Sequence, residues 1–167
     1  MELLIKYLNL KNIQKGISLR YKIGNINDEK YIYVDVSSIE NIYACNSVIA
    51  STTLQRLFWF YKFPIIILDE LYYGKFTKKE KEFIIYHELG HYKRGHFKRK
   101  FEDNYDERLK LEHEADMYAV ERTDWQTSYD TLNKIKEVVI EIFGVHETNI
   151  DDRVDMLVME AQYYLNN

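Results

Sequence analysis

The stretch IIYHELGHYKRGH, residues 84 to 96, sets two histidines four positions apart with a glutamate directly after the first. On a helix of about 3.6 residues per turn, His87 and His91 project from one face, and their imidazole nitrogens can converge on a single cation. Glu88 lies about 100° round the helix from His87, out of easy reach of that cation but within reach of a water beside it. Two neutral nitrogen donors and a separate base are what metal-assisted hydrolysis requires, with zinc as the expected ion. The same HExxH pattern also occurs on helices that merely show histidines to solvent. Two histidines leave a catalytic zinc one protein ligand short, so the hypothesis needs a third donor.

LEHEADMYA, residues 111 to 119, offers that donor. Glu112 and Asp116 are one turn apart, and Leu109, Ala115 and Ala119 share their side of a helix. Small alanines allow this helix to approach the first closely, while Gly90 leaves room for a close neighbour beside the metal. Glu112 is therefore placed to point inward as a ligand, with His113 as an alternative. Asp116 lies too far along the helix to be first choice for the metal beside Glu112, but it can accept the remaining ring N–H of a metal-bound histidine and fix its tautomer. Glu114, about 200° round from Glu112, reads as a solvated side chain paired with Lys110.

Together, HELGH and the downstream EHEAD resemble the gluzincin metallopeptidases. The fuller HELGHYKRGH and EHEADMYA are most similar to the soluble catalytic core of the CaaX prenyl protease and HtpX-like peptidases, including the minigluzincins. The resemblance covers residues 64 to 122. It implies an α+β, zincin-like metallopeptidase fold, mostly helical with a small β-sheet, in which a strand, the HExxH helix and the ExxxD helix form the active site. It further implies His87, His91 and Glu112 as zinc ligands, Glu88 as general base, and Asp116 as the residue orienting a histidine. The ImmA/IrrE-like peptidases share a HELGH helix and are the close rival. Gly95, His96, and Asp116 where the rival commonly has Asn, favour the first group. VHETNIDDRVDML, near the carboxyl end, faintly resembles that group's His-Pro segment followed by an arginine, which implies His146 as the oxyanion stabiliser. Glu147 stands in place of the proline, and Arg153 falls one residue later than usual. A plain loop histidine is the alternative at 146, and Tyr118 or Tyr129 could supply the donor instead.

These side chains need elements to hold them. TKKE at Thr77–Glu80 is a capping box that starts a helix over about 78–94, with Lys93 and Arg94 suited to its C-terminus and Gly95 to a left-handed exit. Further helices are expected over 106–122, over 131–143 (Leu132, Ile135, Val139 and Ile142 on one stripe, closed by Gly144), and over 151–165 (Val154, Leu157, Ala161). In the first part, residues 17–36 read as a β-hairpin turning at Gly24 and Asn25. Residues 38–62 read as a helix stopped by Pro64, and IIILDE as a buried strand. That strand is a candidate edge along which a substrate peptide could pair. The organisation expected is a hairpin-and-helix segment, 1–63, packed on a catalytic core, 64–167, as one compact domain. The first 60 residues carry no resemblance to a known family; scaffold, substrate selection and inhibition are the open roles of residues 1–63.

A length of 167 residues suits a single core. One proline and 46% hydrophobic residues exclude a disordered or linker-dominated chain. The formal charge of -4 argues against a nucleic-acid partner. Cys45 has no cysteine to pair with and reads as a small buried hydrophobe, with a regulatory thiol as the alternative. Lys6 and Asn9 break the apolar start before a secretory h-region forms, and LFWFYKFPIIIL is too short to span a bilayer. The expectation is a soluble, cytoplasmic zinc endopeptidase acting on peptide or protein substrates. A regulatory or binding protein that keeps the zincin scaffold is the alternative, and a purely structural zinc would call for four protein ligands. His96 is expected to hydrogen-bond a loop. The basic run Lys93, Arg94, Lys98, Arg99 and Lys100 is expected to be solvated.

Overall fold

β1 (Tyr21–Ile26) and β2 (Glu29–Asp35) form an antiparallel hairpin. Its turn is Asn27–Asp28, with φ of 44° and 66°, and not Gly24–Asn25 as the sequence suggested. A two-residue hairpin loop needs left-handed backbone at both central positions, and after glycine Asn and Asp tolerate it best. Gly24 sits within β1 opposite Tyr31, where a Cβ would overlap the Tyr31 ring. Glycine there makes room for an aromatic ring rather than for a turn.

The computed structural model describes residues 1, 2, 5, 6, 9, 20–36, 49–58, 61–98, 104–144 and 146–166. Cys45, Arg99, Lys100, residues 17–19 of the expected hairpin and residues 38–48 and 59–60 of the expected helix lie outside them. The chain divides into two compact units, Met1–Lys75 and Phe76–Asn167, which together make a mixed α+β architecture.

In the first unit, the later part of the expected 38–62 helix is instead a strand, β3 (Ala50–Phe58), followed by β4 (Tyr61–Leu68). Thr52 and Thr53 carry the β-branched preference that favours the pleated form. Pro64 does not stop a helix; it lies inside β4 opposite Leu54. The parallel ladder between β4 and β2 begins only at Ile66, so the missing amide of Pro64 falls outside it. The strand order is β1-β2-β4-β3, which puts β4 in the interior and overturns its reading as a free edge for a peptide. Ile65, Ile66 and Leu68 are all buried, the near-continuous burial of an interior strand. Ile32, Val34 and Val36 alternate into one cluster with Phe63 and Ile65. A short helix, α1 (Glu70–Tyr73), capped by Asp69, ends the unit.

The second unit is helical: α2 (Lys78–Lys93), a 3₁₀ turn (His96–Lys98), α3 (Tyr105–Val120), α4 (Trp125–Phe143) and α5 (Thr148–Leu165). Thr77 and Glu80 make the reciprocal capping box at the start of α2. Phe83, Ile84, Ile85 and Leu89 of α2 share the core with Leu111, Ala115 and Ala119 of α3, Leu132 and Val139 of α4, and Leu157 of α5. α4 begins six residues before the expected position because its first turns hide polar residues. Asp124 accepts from the Thr127 amide, and the hydroxyls of Ser128 and Thr131 bond back to the carbonyls of Asp124 and Thr127. Satisfied in this way, Ser128 and Thr131 are fully buried without cost to unpaired groups. Among the described residues, no helix is long and apolar enough to cross a membrane.

Candidate metal centre

The centre is built where α2 and α3 come closest. A Cβ on Gly90 would stand 3.1 Å from the Cα and the carbonyl oxygen of Ala115, and 3.1 Å from the Tyr118 Cβ. Two of those three neighbours are backbone atoms, which cannot give way cheaply. The glycine lets the helices touch, and it carries His87 and His91 on one side of it up against Glu112 and Asp116.

His87 Nε2 and His91 Nε2 lie 3.1 Å apart. Glu112 presents one carboxylate oxygen to His87 Nε2 at 3.3 Å and the other to His91 Nε2 at 3.6 Å. A tetrahedral zinc with ligand bonds of about 2.0–2.1 Å has ligand–ligand edges of about 3.4 Å, so these separations suit one such ion. Two imidazole nitrogens and a carboxylate are also a donor set that zinc accepts. These three are the one group among the described residues that could hold a metal ion. The Glu112 side chain remains 29% exposed and that of His91 17%, so the cluster is open to solvent on the Glu112 side. Glu88 is buried, and its charge acts on Arg153.

Behind His87 stands an ionic support. Its Nδ1 lies 2.7 Å from Asp116 Oδ1, and Asp116 is fully buried. Arg153, from the second turn of α5, donates to Asp116 Oδ2 from Nε at 2.8 Å and to Oδ1 from Nη2 at 2.7 Å, and lies 3.4 Å from Glu112 Oε2. Behind His91 is a second support of a different kind. Its Nδ1 lies 2.8 Å from Nδ1 of His96, whose Nε2 is 3.1 Å from Glu114 Oε2. Gly95, at φ 74°, reverses the chain after α2 and brings His96 back beside the helix it has just left.

The charges follow from this geometry. Burial opposes a proton on His87, but the Asp116 carboxylate outweighs it and raises the imidazole pKa to about 10. Burial, reinforced by the neighbouring positive His87, lowers that of His91 to about 3. Burial works against ionising Glu112 and Asp116, yet His87 and Arg153 hold both carboxyls below the usual carboxylate range. Burial likewise opposes the charge on Arg153, and Asp116 more than restores it.

His146 is elsewhere in its contacts. Its side chain is half exposed and pairs with Asp151 at 2.6 Å. Tyr129 is exposed, and the Tyr118 ring is covered by the Arg122 guanidinium at 3.5 Å. His113 stands 3.7 Å from Glu160 of α5 and is not one of the three converging donors. Glu114 does not pair with Lys110 on a solvated face as expected; it turns to the 3₁₀ turn and bonds His96, which is itself buried rather than a loop contact. Arg94 pairs with Glu121 near the end of α3. Sequence reasoning used Arg153 only as a spacing mark, and its ion pair with Asp116, 37 residues away, leaves no local pattern to read. Comparison with protein-family models, with curated proteins and with solved structures finds no match to this chain.

Proposed function

We propose that the second unit is the catalytic part of a zinc-dependent endopeptidase of gluzincin type, with a zincin-like pairing of α2 and α3. The observation that carries this reading is the convergence of His87, His91 and Glu112 to separations of 3.1–3.6 Å beside a buried glutamate, Glu88. A zinc ion held by those three residues supplies Lewis acidity, polarising a peptide carbonyl and easing deprotonation of water. The Glu88 carboxylate accepts the proton of the attacking water as its oxygen bonds to the carbonyl carbon. It then delivers that proton to the departing amine nitrogen as the C–N bond breaks. Asp116 and Arg153 hold the His87 ring with Nε2 turned toward the other donors. The positive charge of Arg153, 3.4 Å from Glu112, favours negative charge in the cluster.

The test is cleavage of unfolded casein by the full chain loaded with zinc, compared with Glu88→Gln. The substitution is expected to lower the rate by about 10²–10⁴-fold and to leave zinc content unchanged. Stoichiometric zinc with no cleavage, and no change on Glu88→Gln, would point instead to a metal-binding regulatory protein.

A further inference from the structure

We infer that His96 and Glu114 are positioning residues for His91, forming a relay that fixes the tautomer and direction of one metal ligand. The inference rests on the metal-site reading above. His91 turns Nε2 toward His87 and Glu112, so a cation held there takes that nitrogen. The other ring nitrogen, Nδ1, then carries the proton, and its neighbour at 2.8 Å is His96 Nδ1. Two N–H groups cannot face one another at that distance, so His96 Nδ1 is the acceptor. A neutral imidazole that accepts at Nδ1 bears its hydrogen on Nε2, and His96 Nε2 meets the Glu114 carboxylate at 3.1 Å. Every donor in the chain thus finds an acceptor, and the order of protons is forced from the carboxylate to the metal face.

Three further observations favour positioning over packing or ligation. His96 is 1% exposed, so its ring is held rather than sampling solvent. It bonds the ring nitrogen of His91 that points away from the donor cluster, which keeps it out of the ligand set. The partner comes from α3, the helix that also supplies Glu112, so the relay ties His91 to the element bearing the third ligand. Hydrogen bonds of this kind behind metal-bound histidines typically set metal affinity by about 10–100-fold.

The experiment measures the zinc dissociation constant of the folded full chain by competition with a chromophoric chelator. His96→Leu removes the acceptor and is expected to weaken binding by about 10–100-fold. His96→Asn places an amide oxygen the same number of bonds from the backbone as Nδ1, and is expected to restore most of the affinity. Glu114→Gln, which keeps an acceptor but not the charge, is expected to lose less than about tenfold. Equal affinity in His96→Leu and the native chain, or equal losses in Leu and Asn, overturns the relay. If His96→Leu does not fold, proton–nitrogen NMR of the imidazoles in the zinc-loaded native chain decides. A hydrogen on His91 Nδ1 and on His96 Nε2 is expected, and a hydrogen on His96 Nδ1 overturns it. A native chain that binds no zinc would sink the metal-site reading itself, a result distinct from any of these.

Discussion

The two histidines of α2 look equivalent in the sequence and are held in opposite ways. His87 is backed by a buried carboxylate locked to a partly buried guanidinium, a support made of full charges. His91 is backed by a neutral ring that ends on Glu114, a carboxylate with 27% of its side chain exposed. An ionic support away from bulk water is rigid and fails badly when halved, because the surviving charge loses its nearest partner. A neutral relay at the edge of solvent is softer, and water can replace its last member. The candidate centre therefore has one stiffly held histidine and one tunable histidine.

The sharpest way to break this comparison is Asp116→Ala, which takes the carboxylate from behind His87 and leaves Arg153 only its longer contact with Glu112. About 3–5 kcal/mol of stability should be lost, as for other halved buried pairs, measured by urea unfolding of the metal-free chain. Replacing both partners, Asp116→Leu with Arg153→Met, should cost less than Asp116→Ala alone, since neither member of the pair is then left without the other. Losses that simply add would show that the two side chains do not act as a unit. The N-cap of α4 is a control distinct from both supports. Asp124→Ala should cost about 1 kcal/mol at neutral pH. The Thr127 amide and hydroxyl hold the Asp124 carboxyl below its usual range. Its contribution is therefore complete above the unfolded pKa of about 3.9 and drains away as pH falls through the lower folded value. A difference between native and variant that grew on acidification would contradict that assignment. Smallest should be Glu114→Gln, at under about 1 kcal/mol of stability in the metal-free chain, with its larger effect reserved for zinc affinity.

Local signals were readable where local physics decides. The reciprocal cap at Thr77 and Glu80 marks the start of α2 in sequence and in space. The small residues Gly90, Ala115 and Ala119 announced the close helix approach that brings Glu112 to the histidines. The hairpin was legible but its turn was not, because Gly24 competes with Asn27 and Asp28 for the same role and only the Tyr31 ring opposite decides it. β3 was hidden by the aromatic run after Leu57, whose apolar character fits a helix or a strand equally, while Thr52 and Thr53 were the overlooked hint. Both supports behind the histidines were beyond periodicity. Arg153 and Glu114 reach residues 37 and 18 positions away, and such pairings are set by how helices pack.

The order of strands also bears on how the first unit assembles. β1 finds β2 across a two-residue turn, and β3 and β4 pair antiparallel as near neighbours in sequence, so each pairing can form within microseconds. The seam between them, Tyr33 against Ile66 and Asp35 against Leu68, joins parallel strands more than thirty residues apart. A contact between residues so far apart in sequence costs more chain entropy than a local pairing, and a slip of one residue would turn the alternating face of β2 the wrong way. The docking of two ready-made ribbons, rather than the making of either, is then the step that sets the pace of folding for this sheet.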